Sequence, residues 1–258
     1  MHGYVLTDGK TVDYLYEFLR KDSVDLLKVI PTWGIHWNDF SRSKILSATK
    51  DTIIRTTHGD PSRNKGLDAN PIDYRYLVPE SLYTLAPFLN IKPHCYIELG
   101  NEPNAYPNID YWVYRYWLLE TIKICRSKYP YAKLISPAPI VADGYTDSAN
   151  NFYEICKDAL MLCDYSGIHA YEYRSFNDPT GTKQLTTAIN MSYRYLGTKP
   201  TMLTEYGIDD PSIPMPTKLK LYQKMRLQMQ GSIKGFCIFH IEANEKLFPQ
   251  YAVTLKDI

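Results

Sequence analysis

The sequence has almost no excess of charge. Its 29 Lys and Arg against 28 Asp and Glu leave a formal net charge of +1, spread along the whole chain, and without a basic stripe no nucleic-acid partner is expected. Long hydrophobic runs are missing too. No segment approaches the roughly 18 uncharged apolar residues of a membrane span, so no membrane partner is expected either. The opening MHGYVLTDGK lacks the basic region and apolar run of a secretion signal. These absences lead us to expect a soluble protein, cytoplasmic or released by lysis, or secreted if a signal has been removed. Cysteine is sparse and odd in number. Cys95, Cys125, Cys156, Cys163 and Cys237 show neither CxxC nor Cys/His ligand spacing, which argues against a disulfide framework and against a zinc site. No group of His, Asp and Glu has metal-ligand spacing, and no GxGxxG or GxxxxGK(S/T) phosphate loop occurs. No cofactor and no metal are therefore expected. Linkers, low-complexity stretches and internal repeats are also lacking, so residues 1–258 are read as one domain and a monomer.

Tyrosine is plentiful, with 23 residues, rings that can fill a core or line a groove. Short apolar, β-rich runs alternate with longer segments of helical period, the pattern of a parallel sheet wrapped by helices. The expected strands are Gly3–Leu6, Leu26–Pro31, Thr52–Thr56, Cys95–Leu99, Lys133–Ser136, Tyr165–His169, Thr201–Thr204 and Gly235–Phe239. The expected helices are Val12–Lys21, Asp39–Thr49, Glu80–Leu89, Tyr111–Lys128, Asn150–Leu162, Lys183–Leu196 and Thr217–Gln230. In Tyr111–Lys128, Trp112, Tyr116, Leu119 and Ile122 read as the apolar, core-facing stripe. Eight strands in about 250 residues make an α/β fold of the (β/α)₈ TIM-barrel type. Only Glu242 to Ile258, containing Pro249, follows the last strand, so the final helix is expected to be short or missing.

Reactive side chains of such a barrel belong at the C-terminal ends of its strands. The fourth strand ends in Ile97-Glu98-Leu99-Gly100-Asn101-Glu102-Pro103, the seventh in Met202-Leu203-Thr204-Glu205-Tyr206-Gly207. Taken alone, Asn101-Glu102-Pro103 also reads as a polar turn. The pair carries more, because strands four and seven can converge over the mouth. Retaining glycoside hydrolysis needs two carboxyl groups about 5–5.5 Å apart. Tryptophans in Thr32-Trp33-Gly34-Ile35-His36-Trp37, after strand two, read as sugar-stacking platforms, with core packing the alternative for Trp37.

With these motifs the sequence resembles glycoside hydrolase clan A, barrel enzymes with an Asn-Glu ending strand four and a Glu ending strand seven. The resemblance implies Glu102 as general acid/base, Glu205 as nucleophile, net retention, and an oligosaccharide or polysaccharide substrate. It turns Asn101 toward the sugar 2-hydroxyl. Gly167-Ile168-His169-Ala170-Tyr171 is similar to the His-x-Tyr of strand six, which implies a Tyr171 hydroxyl on Glu205 and His169 at the sugar-binding floor. In Arg55-Thr56-Thr57-His58-Gly59-Asp60, the clan's arginine beneath the nucleophile corresponds to Arg55, with His58 or Asp60 as alternatives. The clan's tryptophan at the end of strand eight is absent from Phe236-Cys237-Ile238-Phe239-His240, so Phe239 or His240 takes its place. The function expected is hydrolysis of β-linked glycans by double displacement. A lysin of cell-wall glycan using the same machinery and a non-catalytic carbohydrate-binding barrel are the alternatives.

Overall fold

The computed structural model describes residues 1–6, 12–31, 38–56, 59–60, 65–66, 82, 85–105, 109–142, 144–173, 183–241 and 253. Eight parallel strands form the centre: β1 (His2–Leu6), β2 (Leu26–Val29), β3 (Asp51–Arg55), β4 (Tyr96–Glu98), β5 (Lys133–Ile135), β6 (Ser166–Tyr173), β7 (Thr201–Asp209) and β8 (Ile233–Ile241). Their order is β5-β4-β3-β2-β1-β8-β7-β6. The two outer strands meet through a parallel bridge between Ile135 and Tyr165, where the Ser136 N–H donates to the Tyr165 carbonyl at 2.9 Å. The sheet thus closes into the expected barrel. All eight expected strands are present, with β6 and β7 running on to Tyr173 and Asp209.

Seven helices are described: α1 (Val12–Lys21), α2 (Asp39–Ser47), α3 (Ala86–Leu89), α4 (Tyr111–Lys128), α5 (Thr146–Met161), α6 (Lys183–Leu196) and α7 (Met215–Gln228). Each follows one of the strands β1 to β7. Apart from Val253, the segment after β8, where a short or missing last helix is expected, lies outside the described residues. Among the described residues no helix is long and apolar enough to cross a membrane. All five cysteines are buried and free.

Alternation along the strands sorts the core into two layers. Val5, Leu26, Ile53, Ile135, Met202 and Cys237 fill the barrel interior. Tyr4, Leu27, Ile54, Ile97, Leu134, Ile168 and Leu203 point outward against the helices. Each such buried side chain contributes about 1.5–3 kcal/mol relative to exposure.

The helix α4 has the expected ends but only half of the expected face: Ile122 is buried and Leu119 packs against the core, while the two aromatics do not. Tyr111, Tyr114, Trp117, Leu118, Thr121, Ile122 and Cys125 are buried, whereas Trp112 is 58% and Tyr116 50% exposed. The cause lies in the charges. Lys123 and Arg126 share the helical face of Trp112 and Tyr116, so burying that stripe would desolvate them too. Asp110 fixes the helix start, its carboxylate accepting the Trp112 N–H at 2.8 Å and the Val113 N–H at 3.3 Å. In α6 that work is done from the barrel, where buried Glu172 of β6 accepts the backbone N–H groups of Gln184 (3.2 Å) and Leu185 (3.0 Å).

The seam between β5 and β6 depends on a glycine. The Gly167 N–H donates to Ser136 Oγ at 3.0 Å, and a Cβ at this position would lie 2.3 Å from the Ser136 carbonyl oxygen. That oxygen belongs to backbone and cannot swing away. Gly167→Ala is expected to destabilise the fold by about 1–3 kcal/mol, measured as a lower urea midpoint with an unchanged denaturant slope. A midpoint equal to wild type would show that the seam tolerates a side chain.

Candidate active site

The apolar interior of the barrel gives way to charge near the C-terminal ends of the strands. On β2, Leu26 faces inward, and alternation therefore turns Lys28 inward as well. By the same parity Ile53 brings Arg55 inward on β3, while the outward Ile97 and Ile168 leave Glu98 on β4 and His169 and Tyr171 on β6 facing the interior. All of these side chains except Tyr171 are buried.

Strict alternation would send Thr204 and Glu205 of β7 to opposite faces. The ladder instead shifts register here: Ile168 pairs with Leu203 but His169 pairs with Glu205, and on the other side Phe236 pairs with Leu203 but Ile238 with Tyr206. Two residues of β7 oppose one on each neighbour, which is a β-bulge. Both side chains consequently point inward, and Tyr206 turns out against Tyr222 of α7. The Thr204 hydroxyl donates to Glu98 Oε1. Glu205 meets donors on both oxygens: Lys28 Nζ (2.8 Å) and Arg55 Nη1 (3.1 Å) on Oε1, and the Tyr171 hydroxyl on Oε2.

Glu102 sits on the turn leaving β4. Gly100 has φ +82° and Glu102 itself φ +41°, a left-handed backbone that disfavours side chains by about 1–2 kcal/mol. Neighbouring strands hold the turn in place. The Gly100 N–H donates to Thr56 Oγ1 at 2.7 Å and the Glu102 N–H to the Ala138 carbonyl at 3.0 Å. Asn104 ties the same turn to the loop after β5 through the Ile140 carbonyl (2.8 Å) and N–H (2.7 Å). Glu102 Oε1 then lies 2.9 Å from His169 Nδ1. A carboxylate oxygen of Glu102, one of Glu205 and a ring nitrogen of His169 all fall within 4.8 Å of one another.

Opposed charges decide the ionisation states. Burial disfavours the charge on Glu205, yet His169, Lys28 and Arg55 hold its carboxyl well below the usual carboxylate range. Burial acts on Glu98 in the same direction, and Lys28 at 2.5 Å with His169 brings it down to about 2. Burial and Lys28 lower His169, but Glu205, Glu102 and Glu98 outweigh them and raise it to about 9. Glu102, His169 and Glu205 lie close enough together to ligate a cation. Lys28, Arg55 and Tyr171 already engage both oxygens of Glu205, so a cation there would compete with two buried positive charges.

Of the residues singled out by sequence, the fold brings Glu102, Glu205, Asn101, Arg55, His169 and Tyr171 together. Asn101 Oδ1 accepts from Arg55 Nη1 at 2.7 Å. His169, 1% exposed, lies beneath the two carboxylates and not on an open floor. Phe239 is buried in the interior with its ring edge-on to Tyr171, 5.8 Å between centroids. Asp60 forms a short antiparallel ladder with Lys65. Trp33, Trp37 and His58, and the side chain of His240, lie outside the described residues. Sequence reasoning missed Lys28, Glu98 and Thr204. The available signal was a lone charge in an otherwise apolar strand, once on β2 and once on β4, each at an inward position.

The elevated His169 value fixes the sign of a pH effect. The folded protein keeps a proton that the unfolded chain releases, so the stabilisation is complete below His169's ordinary 6.5 and is lost as pH rises through about 9. Urea unfolding is expected to show stability falling across that window, with a shallower fall in His169→Gln. An identical pH dependence in both proteins would rule out His169 as its source.

No protein-family model matches the sequence, and no curated protein matches it. Solved structures do match. An endo-1,4-β-D-mannanase from Thermotoga petrophila superposes with a TM-score of 0.62 at 14% identity, over 97% of this chain and 92% of that one. A GH128 (subgroup II) endo-β-1,3-glucanase from Sorangium cellulosum gives 0.60 at 16% identity, over 94% and 88%. An endoglucanase from Pseudomonas stutzeri gives 0.65 at 9% identity, over 98% and 89%. At these identities the likeness is one of fold: the chain has the (β/α)₈ barrel architecture found in these glycan-cleaving enzymes.

Proposed function

We propose that this protein hydrolyses β-linked glycans with retention of configuration, Glu102 acting as general acid/base and Glu205 as nucleophile. The observation that carries this reading is that one carboxylate oxygen of Glu102 and one of Glu205 lie within 4.8 Å of each other at the C-terminal mouth of the barrel. That separation fits direct attack by one of them. Inverting enzymes keep the two carboxyls about 6.5–9.5 Å apart to admit a water between them.

The electrostatics suit the assignment. A nucleophile must be ionised, and Glu205 lies against Lys28, Arg55 and the Tyr171 hydroxyl. In the first step a Glu205 oxygen bonds to the anomeric carbon, the glycosidic C–O bond breaks, and the Glu102 proton passes to the departing oxygen. Water then attacks the same carbon and gives its proton to Glu102, and the ester bond breaks with its electron pair returning to Glu205. On this reading Asn101, which accepts from Arg55 and adjoins Glu102, hydrogen-bonds the sugar 2-hydroxyl, a contact that strengthens in the transition state. The neighbouring folds named for mannan and β-glucan cleavage support a β-linked polysaccharide as the substrate class.

A panel of chromogenic β-glycosides and insoluble polysaccharides, peptidoglycan included, tests the reaction, and azide separates the two roles. Glu205→Ala should lose turnover by orders of magnitude on every substrate, and azide should return activity with a glycosyl azide of inverted configuration. Glu102→Ala should still form the intermediate from an activated aryl glycoside, because acid assistance matters in proportion to the basicity of the departing oxygen. Azide should there give the retained product. The opposite stereochemistry would exchange the two roles, and full activity in both variants would place the chemistry elsewhere.

A further inference from the structure

Resting on the retaining reading, we propose that Lys28 is a positioning residue for Glu205, and that Glu98 is the standing counterion that keeps this cation in place when the charge of Glu205 is consumed. The side chains of Lys28 and Glu98 are fully buried. The ammonium stands between two carboxylates, 2.5 Å from Glu98 Oε2 and 2.8 Å from Glu205 Oε1. Together with Arg55 it loads one oxygen of Glu205 while Tyr171 holds the other, so rotation of the carboxylate is opposed from both ends.

One carboxylate would suffice for a purely structural pair. A second becomes necessary when the first changes charge. In the glycosyl ester Glu205 is neutral, and Lys28, with Arg55 and an imidazolium at His169 nearby, would be left as a buried cation with no partner. Removing one partner of a buried pair is strongly unfavourable, because the other charge stays buried without compensation. Glu98 removes that penalty because it remains paired to Lys28 throughout. It is itself anchored by the Thr204 hydroxyl, on the same bulge as Glu205, and lies 3.4 Å from His169 Nε2. Thr204 thus links the counterion to the strand distortion that presents the nucleophile.

The other groups facing this cluster are known. The register partners of Lys28 on β1 and β3, Val5 and Ile53, are apolar. Arg55 enters from β3, Glu102 from the turn after β4, His169 and Tyr171 from β6, and Cys237 from β8, its thiol pushed well up by burial. Lys28 is the nearer of the two cations that face both carboxylates, 2.5 Å from Glu98 and 2.8 Å from Glu205 against 3.4 Å and 3.7 Å for His169.

The test reads Glu205 without a substrate. The full chain is labelled with ¹³C at the glutamate carboxyls, Glu205 is assigned by its loss in Glu205→Gln, and its titration is followed in wild type, Lys28→Met, Lys28→Gln and Lys28→Arg. Removing the charge should raise the midpoint by about one pH unit or more, and Lys28→Arg should restore most of the fall. The Gln variant keeps a donor and decides the matter should the Met variant not fold. A midpoint unmoved in the charge-free variant would overturn the positioning role. Glu98→Gln is then compared on an activated aryl β-glycoside, where the glycosylation step should slow by about tenfold or more while Glu205 still titrates low. An unchanged step would overturn the counterion role. Turnover with an unmoved Glu205 titration would remove this inference and keep the hydrolase, whereas a moved titration in a protein that cleaves no β-glycoside would remove the hydrolase alone.

Discussion

Two ionised carboxylates inside a barrel are tolerable only if cations are buried with them, and the mouth of this barrel is organised around that requirement. Moving a lone carboxylate out of water costs several kcal/mol even after relaxation. Glu205 and Glu98 avoid this by sharing Lys28, with Arg55 and His169 closing the cluster. Five separate strands contribute these side chains, β2, β3, β4, β6 and β7, so the cluster exists only in the closed barrel. Its formation and the closure of the sheet support each other.

Closure also sets the geometry at the reacting end. The β7 bulge places Thr204 and Glu205 on the same face, and the turn in which Glu102 takes its positive φ brings that carboxylate to His169. Both are local departures from regular backbone, and both are held by hydrogen bonds, from Thr204 on β7 across the interior to Glu98 on β4 and from the Glu102 N–H to the Ala138 carbonyl after β5. Strain persists where surrounding structure over-determines it. Here the surrounding structure is the rest of the ring, across its interior as well as along its wall.

How much of this was legible in the sequence follows from which forces act locally. The strands and the ends of α1, α4 and α6 were readable because hydrophobic period and helix-capping residues such as Asp110 are properties of a short stretch of chain. The buried face of α4 was only partly read because its apolar residues cover more than one side, and the choice between sides was made by Lys123 and Arg126, whose desolvation outweighs that of two aromatic rings. Glu102 and Glu205 stood out through their strand-end motifs. The bulge could not be read, since alternation along β7 alone puts Thr204 and Glu205 on opposite faces, and only pairing with β6 and β8 reverses one of them. Lys28 and Glu98 were visible as charges in apolar strands, but their partnership is a contact between β2 and β4, across the intervening β3.

The two glutamates also differ in their contact with solvent, and the difference matches what the proposed reaction asks of each. The Glu102 side chain is 19% exposed and that of Glu205 4%. An acid/base that gives a proton to a leaving group and takes one from water in each cycle works best at the boundary, where both can reach it. A nucleophile has no need of bulk water, and water would weaken the field of Lys28 and Arg55 that keeps it ionised. Burying one carboxylate with cations while leaving its partner at the rim on a strained turn gives two chemically identical groups two different surroundings. His169 joins the two halves, with Nδ1 on Glu102 and Nε2 toward Glu98. One imidazole ring thus bridges the rim carboxylate and the buried cluster.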